Sequence, residues 1–213
     1  MARIWIWQEE RAADFFAEAR SVLRARGVLA LPTETFYALA VNPFDPAALT
    51  RLFALKARPA DKPVLVLIAG PEMLLQVVRA VPAAAIPLMT AFWPGPLTLI
   101  FPARLDLPPL LTGGSGTIGL RQPRQDAVQR LMAALGLPLT GTSANRAGQE
   151  PLTTAAAVAR EFGDAVDLIL DTGPCPGGLP SSIVAVTVSP PRLVRAGAIA
   201  TAAIQELLPD MRP

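Results

Sequence analysis

The chain contains no histidine and a single cysteine, Cys175, in 213 residues. The first absence excludes Ser-His-Asp and Cys-His catalysis and every zinc site that needs an imidazole. One cysteine excludes thiolate zinc sites, iron–sulfur clusters and an internal disulfide, and it agrees with a reducing compartment. Any acid–base group acting near neutral pH is then a lysine or carboxylate shifted by its surroundings. Catalysis in such a chain rests on positioning and electrostatics. Long apolar runs are missing too. Proline, arginine or glutamate interrupts each one before the ~20 residues needed to cross a bilayer. Residues 1–11 turn acidic at once and have no signal-type apolar centre, so the expected location is cytoplasmic.

Lysine is the scarcest cation. Of 19 basic residues only Lys56 and Lys62 are lysine, and they flank Arg58 in Lys-Ala-Arg-Pro-Ala-Asp-Lys-Pro (56–63). An ammonium is a compact point charge suited to one phosphate or carboxylate oxygen, whereas guanidinium is a planar fork. The net charge of +2 is too small to argue for nucleic acid. It suits a locally positive cleft for a small anion.

With 52% hydrophobic and 17% charged residues, the chain is a globular domain with a substantial core. Helical and apolar strand signals alternate. An amphipathic helix over about 9–26 ends at Gly27, a suitable residue just past a helix end. Strands are expected at 28–31, 64–68, 97–101, 117–121, 138–142, 168–170 and 182–186. Asp45 caps a helix opened by Pro46 and running to about residue 57. Further helices are expected across 71–92, over 125–135, from Thr153 or Thr154 to before Gly163, and over 201–208 with Thr201 as cap. The pattern predicts an α/β single domain, a twisted mixed sheet with flanking helices. The 23 prolines fall mostly between elements and predict stiff loops.

Polar clusters follow the apolar runs, where α/β folds place ligands. They are Pro-Thr-Glu-Thr-Phe-Tyr-Ala-Leu (32–39), the basic segment 56–63, Thr-Ser-Ala-Asn-Arg-Ala-Gly (142–148), Pro-Ser-Ser-Ile-Val (180–184) and Arg-Ala-Gly-Ala-Ile (195–199). Each taken singly also reads as a cap or an ordinary turn. None carries a Walker-type or Rossmann glycine pattern.

Taken in order, and with Trp-Pro-Gly-Pro-Leu-Thr (93–98) and Thr-Ile-Gly-Leu-Arg (117–121), these segments resemble the YrdC-like family of threonylcarbamoyl-adenylate synthases. The resemblance spans about residues 8–200 and leaves 201–213 as a C-terminal helix and tail, without a second domain. It implies a concave, positively charged cleft. It also implies that L-threonine, bicarbonate or CO2, and ATP with Mg2+ are converted to threonylcarbamoyl-AMP and pyrophosphate. The metal would be held by the phosphates and not by the protein. A tRNA threonylcarbamoyltransferase would receive the product for adenosine 37 of tRNA, direct RNA contact remains open, and no membrane is involved.

By motif position the resemblance makes Lys56, Arg58, Ser143 and Asn145 the catalytic set. It assigns ATP to Arg58, Lys62, Thr117, Ser143 and Arg195, and threonine to Thr35, Arg121, Gly141 and Ser181. The chain departs from the family where a histidine is common and Leu67 stands. It departs again at Arg-Gln-Pro-Arg-Gln (121–125) and at Arg-Ala-Gly-Ala (195–198). A carbamoyl-AMP-type carbamoyltransferase relative and a non-catalytic RNA-binding or ribosome maturation factor are the alternatives.

Overall fold

The first helix shows how the apolar pattern becomes packing. Phe15, Ala19, Val22 and Leu23 recur at helical spacing and are all buried, Phe16 packs beside them partly buried, and Ala17, Ser21 and Arg24 face water. The helix does not end as its sequence suggests. The left-handed residue is Arg26, with φ 61°, rather than Gly27. Gly27 is needed for space, because a Cβ there would stand 2.5 Å from Val22 Cγ1.

A computed structural model describes residues 2–212. In chain order the elements are β1 (Arg3–Ile6), α1 (Ala12–Arg24), β2 (Leu29–Leu31), β3 (Ala38–Ala40), α2 (Pro46–Lys56) and β4 (Val66–Leu67). Then come α3 (Ala85–Phe92), β5 (Leu97–Pro102), α4 (Pro109–Thr112), β6 (Thr117–Arg121), α5 (Asp126–Leu135), β7 (Leu139–Thr140) and β8 (Thr142–Ser143). The chain closes with α6 (Ala155–Phe162), β9 (Leu168–Asp171), β10 (Ser182–Ala185), β11 (Arg192–Arg195) and α7 (Thr201–Leu207).

The α/β class is as expected, but the strands form two mixed sheets and not one. The five-stranded sheet has the order β1-β9-β2-β3-β8 and the six-stranded sheet β11-β10-β5-β6-β4-β7. The expected strand at 138–142 is cut at Gly141. β7 pairs antiparallel with β4 in the larger sheet, and β8 pairs antiparallel with β3 in the smaller one. The chain therefore passes between sheets within one residue. Thr140 ties the crossing down: its amide donates to the Val41 carbonyl (3.1 Å) and its hydroxyl accepts from the Val41 amide (2.9 Å).

Helix caps are partly as read. Asp45 accepts from the amides of Ala47 (2.9 Å) and Ala48 (3.3 Å), with Pro46 in the first turn. The Thr154 hydroxyl accepts from Ala157. Thr201 is instead the first helical residue and Ala200 precedes it as the cap. Prolines divide 71–92 into a 3-10 turn over Pro71–Gln76 and the short α3.

Candidate active site

The functional segments meet between the two sheets. Thr33 and Thr35 leave the end of β2, and Ser143 sits on β8, also in the smaller sheet. Thr98 on β5, Thr117 and Arg121 on β6, Ser181 just before β10 and Arg195 at the end of β11 come from the larger sheet. Together they wall a cavity of about 420 Å³. Three arginines, Arg58, Arg121 and Arg195, line it without a lining carboxylate. Gly141 forms part of the wall where the chain changes sheet, and Leu67 fills the space over it.

Arg121 is 5% exposed and held on one side by protein oxygens. Its Nη2 lies 2.9 Å from Glu34 Oε1, 3.2 Å from Thr35 Oγ1 and 3.5 Å from Thr33 Oγ1. The second Glu34 oxygen accepts from the Arg124 amide at 3.0 Å, so Glu34 ties the end of β6 to the loop after β2. Arg121 Nε is buried with no hydrogen-bond partner among the described residues. Thr33 donates to the Phe36 carbonyl (2.8 Å) and accepts from the amides of residues 35 and 36. The Thr33 proton is thereby used, and Thr35 Oγ1, 3.0 Å away, keeps its own for Thr33 or for a ligand.

Lys56, expected in the catalytic set, faces the turn that carries Ser143. It is 5% exposed and does not line the cavity. Its Nζ donates to the Ser143 carbonyl, to the Asn145 carbonyl (2.7 Å) and to Asn145 Oδ1 (3.3 Å). All three ammonium protons thus have acceptors within the 143–145 turn. Ser143 Oγ also donates to Asn145 Oδ1 (2.6 Å), and Asn145 Nδ2 donates to the Gln149 carbonyl. Lys56, Ser143 and Asn145 are one interlocked unit, of which Ser143 reaches the cavity. Burial, and then the Arg58 charge, bring the Lys56 pKa down to about 8.

Arg58 lines the cavity and fastens its own loop, donating through Nε to the Lys62 carbonyl (3.2 Å) and through Nη2 to the Pro63 carbonyl (2.6 Å). Burial lowers its pKa from the ordinary guanidinium value. The Lys62 side chain is exposed and is not part of the wall; what it gives the site is that carbonyl. Arg195 donates twice to the Ser181 carbonyl (3.1 and 2.8 Å) and once to Ser181 Oγ (3.1 Å). Arg195 as a residue is exposed, and the partial loss of hydration of its guanidinium, then the nearby Arg121 charge, lower its pKa.

Sequence reasoning missed Thr98 as a site residue. It is buried in the wall with its hydroxyl 2.9 Å from that of Ser181. In sequence it closes the Trp-Pro-Gly-Pro-Leu-Thr (93–98) segment, but as one hydroxyl in an otherwise apolar strand it gives no sign that it lines the cavity.

The sequence profile of the Sua5_yciO_yrdC family, described as telomere recombination, matches residues 21–197. The threonylcarbamoyl-AMP synthase of Pyrococcus abyssi is 35% identical over 210 residues, which is 99% of this chain and 60% of that protein. The threonylcarbamoyl-AMP synthase of Idiomarina loihiensis is 38% identical over 174 residues, 81% of this chain and 93% of that one. Among solved structures, P. abyssi Sua5 in complex with L-threonine superposes with a TM-score of 0.92 at 32% identity, covering 100% of this chain and 62% of that one. E. coli YciO gives 0.82 at 26% identity, covering 93% and 97%. The chain thus spans about 60% of the archaeal protein and nearly all of the Idiomarina one. Profile match, sequence identity and superposition agree that the chain belongs to the Sua5/YciO/YrdC family.

Proposed function

We propose that the chain is a threonylcarbamoyl-AMP synthase, which converts L-threonine, bicarbonate or CO2, and ATP to threonylcarbamoyl-AMP and pyrophosphate. The observation that carries this reading is the cavity itself. Three guanidinium groups and the hydroxyls of Thr35, Thr117, Ser143 and Ser181 converge there from motifs far apart in sequence. Three anionic reactants need such countercharge, and the reaction needs no histidine. The threonine amine captures CO2, forming an N–C bond and releasing a proton. A carbamate oxygen then attacks the α-phosphorus, the bond to the β-phosphate bridging oxygen breaks, and pyrophosphate departs with its electron pair. Rate acceleration comes from alignment and charge stabilisation.

Arg121 with Thr35 and Gly141 takes the threonine end, and Arg58, Thr117 and Ser143 take the nucleotide. Ser181 and Arg195 lie where the two ends meet. Lys56 and Asn145 hold Ser143 in place rather than touching the reacting atoms. Mg2+ enters with the triphosphate, held by phosphate oxygens and water. A tRNA threonylcarbamoyltransferase consumes the product in the cytoplasm. No helix among the described residues is long and apolar enough to cross a membrane.

The test is pyrophosphate release from ATP, bicarbonate and Mg2+ with and without L-threonine, using Arg121→Ala as control. Threonine-dependent release abolished by the substitution supports the reading. RNA binding without release under any amino acid would sink it.

A further inference from the structure

Gly119 is a glycine that neither the backbone nor the packing of β6 requires. Its φ lies outside the left-handed region, so other residues can adopt the same backbone. A Cβ there would meet Thr98 Cγ2 at 3.3 Å and Leu65 Cδ1 at 3.8 Å, contacts that a small shift relieves. Gly141 and Gly197 are different, because their Cβ atoms would stand 2.5 and 2.3 Å from the nearest neighbour. Glycine inside a strand costs conformational entropy and marks a place that another group approaches closely. Among the described residues no protein atom makes that approach at Gly119, and the open side is the cavity.

The position is central. Thr117, Gly119 and Arg121 share the cavity face of β6, each about 7 Å from the next by the two-residue step of a strand. Ile100 of β5 stands in register with Gly119, and Leu65 lies on its other side. Leu65, Ile100 and Ile183 line the cavity and stay partly exposed to it, whereas Leu99, Ile118 and Leu120 on the opposite sheet face are fully buried. The result is a dent with an apolar floor, set between the Arg121 end of the wall and the Thr117 end. Among the described residues the cavity lining holds no carboxylic acid and no imidazole.

An uncharged, linear molecule suits such a floor and an anion does not. Bicarbonate laid on Leu65, Ile100 and Gly119 would give up water around its charge without a donor to replace it. It must also lose hydroxide before an amine can bond to its carbon, and the lining supplies no acid to take that hydroxide. We propose that the one-carbon substrate is CO2, seated in the dent over Gly119 between the threonine and nucleotide ends of the cavity. The other two reactants come from the synthase reading, on which this site rests. The threonine amine forms the N–C bond, one C=O pair moves onto oxygen, and the amine proton leaves to water. The carbamate oxygen then lies next to the Thr117 end, where the nucleotide sits. Gly119 determines specificity by leaving room for the one-carbon unit.

The experiment on the unaltered chain starts pyrophosphate release with dissolved CO2 or with bicarbonate, in the cold, where hydration of CO2 is slow. From CO2 the rate should begin high and decay. From bicarbonate it should show a lag that added carbonic anhydrase removes. An immediate full rate from bicarbonate, with the lag on the CO2 side, would overturn the proposal. Gly119→Ala puts one methyl group into the dent, and thermal unfolding checks that it is folded. A methyl-sized change in a pocket discriminates by about 10–200-fold, so the KM for the one-carbon substrate should rise at least about tenfold while those for threonine and ATP stay within about threefold. An unchanged KM, or an equal rise for all three substrates, would overturn it. NMR of carbon-labelled CO2 and bicarbonate in one sample needs no turnover. The unaltered chain should broaden the CO2 line and Gly119→Ala should not; broadening of the bicarbonate line alone, or equal CO2 broadening by both proteins, counts against the site. That measurement reads the dent even if neither species supports pyrophosphate release, so the two readings fail separately.

Discussion

Replacing Lys56 by methionine should separate stability from activity, with opposite signs along the pH axis. The ammonium is buried and bonded to three oxygens of the 143–145 turn. Its pKa falls from the ordinary 10.5 to about 8 through burial first and Arg58 second. At about 1.4 kcal/mol for each tenfold, that displacement is worth roughly 3 kcal/mol against the charged form. Losing the ammonium leaves two backbone carbonyls without their donor, at about 1–3 kcal/mol each. The gain and the loss are of similar size, so Lys56→Met near pH 7 should stay within about 2 kcal/mol of the parent. Activity behaves differently, because Ser143 loses its anchor. A shift of about 1 Å at a reacting centre costs on the order of 100-fold in rate.

The sign of the pH effect follows from where each state holds the proton. Between about pH 8 and 10.5 the unfolded chain keeps the Lys56 proton while the folded chain gives it up. Folding stability from this group therefore rises with pH across that window, and its burial penalty is fully present below it. Activity falls over the same window as the turn loses its ammonium. Tyr37 and Cys175 are present in both proteins, so their titrations cancel in the difference. The assay is urea unfolding and threonine-dependent pyrophosphate release, at half-unit steps from pH 7 to about 10.5, on both proteins. Parallel stability profiles, or a variant active within about threefold of the parent, would refute the reasoning.

Three further outcomes follow from packing around the cavity. Glu34→Ala strands Arg121 in a buried site and should lose about 3–5 kcal/mol in urea unfolding, with Glu34→Gln losing less than half as much. Tyr37→Phe should stay within about 1 kcal/mol of the parent, because the Tyr37 hydroxyl is buried with no well-formed hydrogen bond among the described residues and only the Ala155 backbone beside it; a larger loss would mean the hydroxyl is fully satisfied. Gly141→Ala should cost about 1–3 kcal/mol by thermal unfolding, since its Cβ would stand 2.5 Å from Leu67 Cγ, and the same change should cost less than half as much when made in a Leu67→Ala background.

The helices were legible because one element suffices to state their pattern. Asp45 and Pro46 mark a start, and Phe15, Ala19 and Val22 mark a face. The sheets were less so. β1, β3 and β11 are three or four residues long and gave no distinct strand signal, although each pairs with a neighbour far away in sequence or across a turn. The cut at Gly141 is invisible in an apolar-polar pattern, because period two does not say which sheet a residue joins. Most polar residues of the cavity wall were legible as clusters at strand ends, and Thr35, Arg121, Ser143, Ser181 and Arg195 line one cavity. Two things were not. Whether Lys56 points at a ligand or at backbone depends on the fold of residues 87 and 89 positions away. Thr98 gains its meaning from a hydroxyl 83 positions later, and alone it reads as an ordinary strand residue.

The one-residue crossing at Gly141 works like the spine of a book. The two sheets are its covers, and Thr140 stitches them to Val41 at the binding. A second stitch joins the loop after β2 to the end of β6, where Glu34 holds Arg121 and the Arg124 amide. With the covers sewn at two places, a cut at either stitch would be felt across the whole cavity and not on one wall alone.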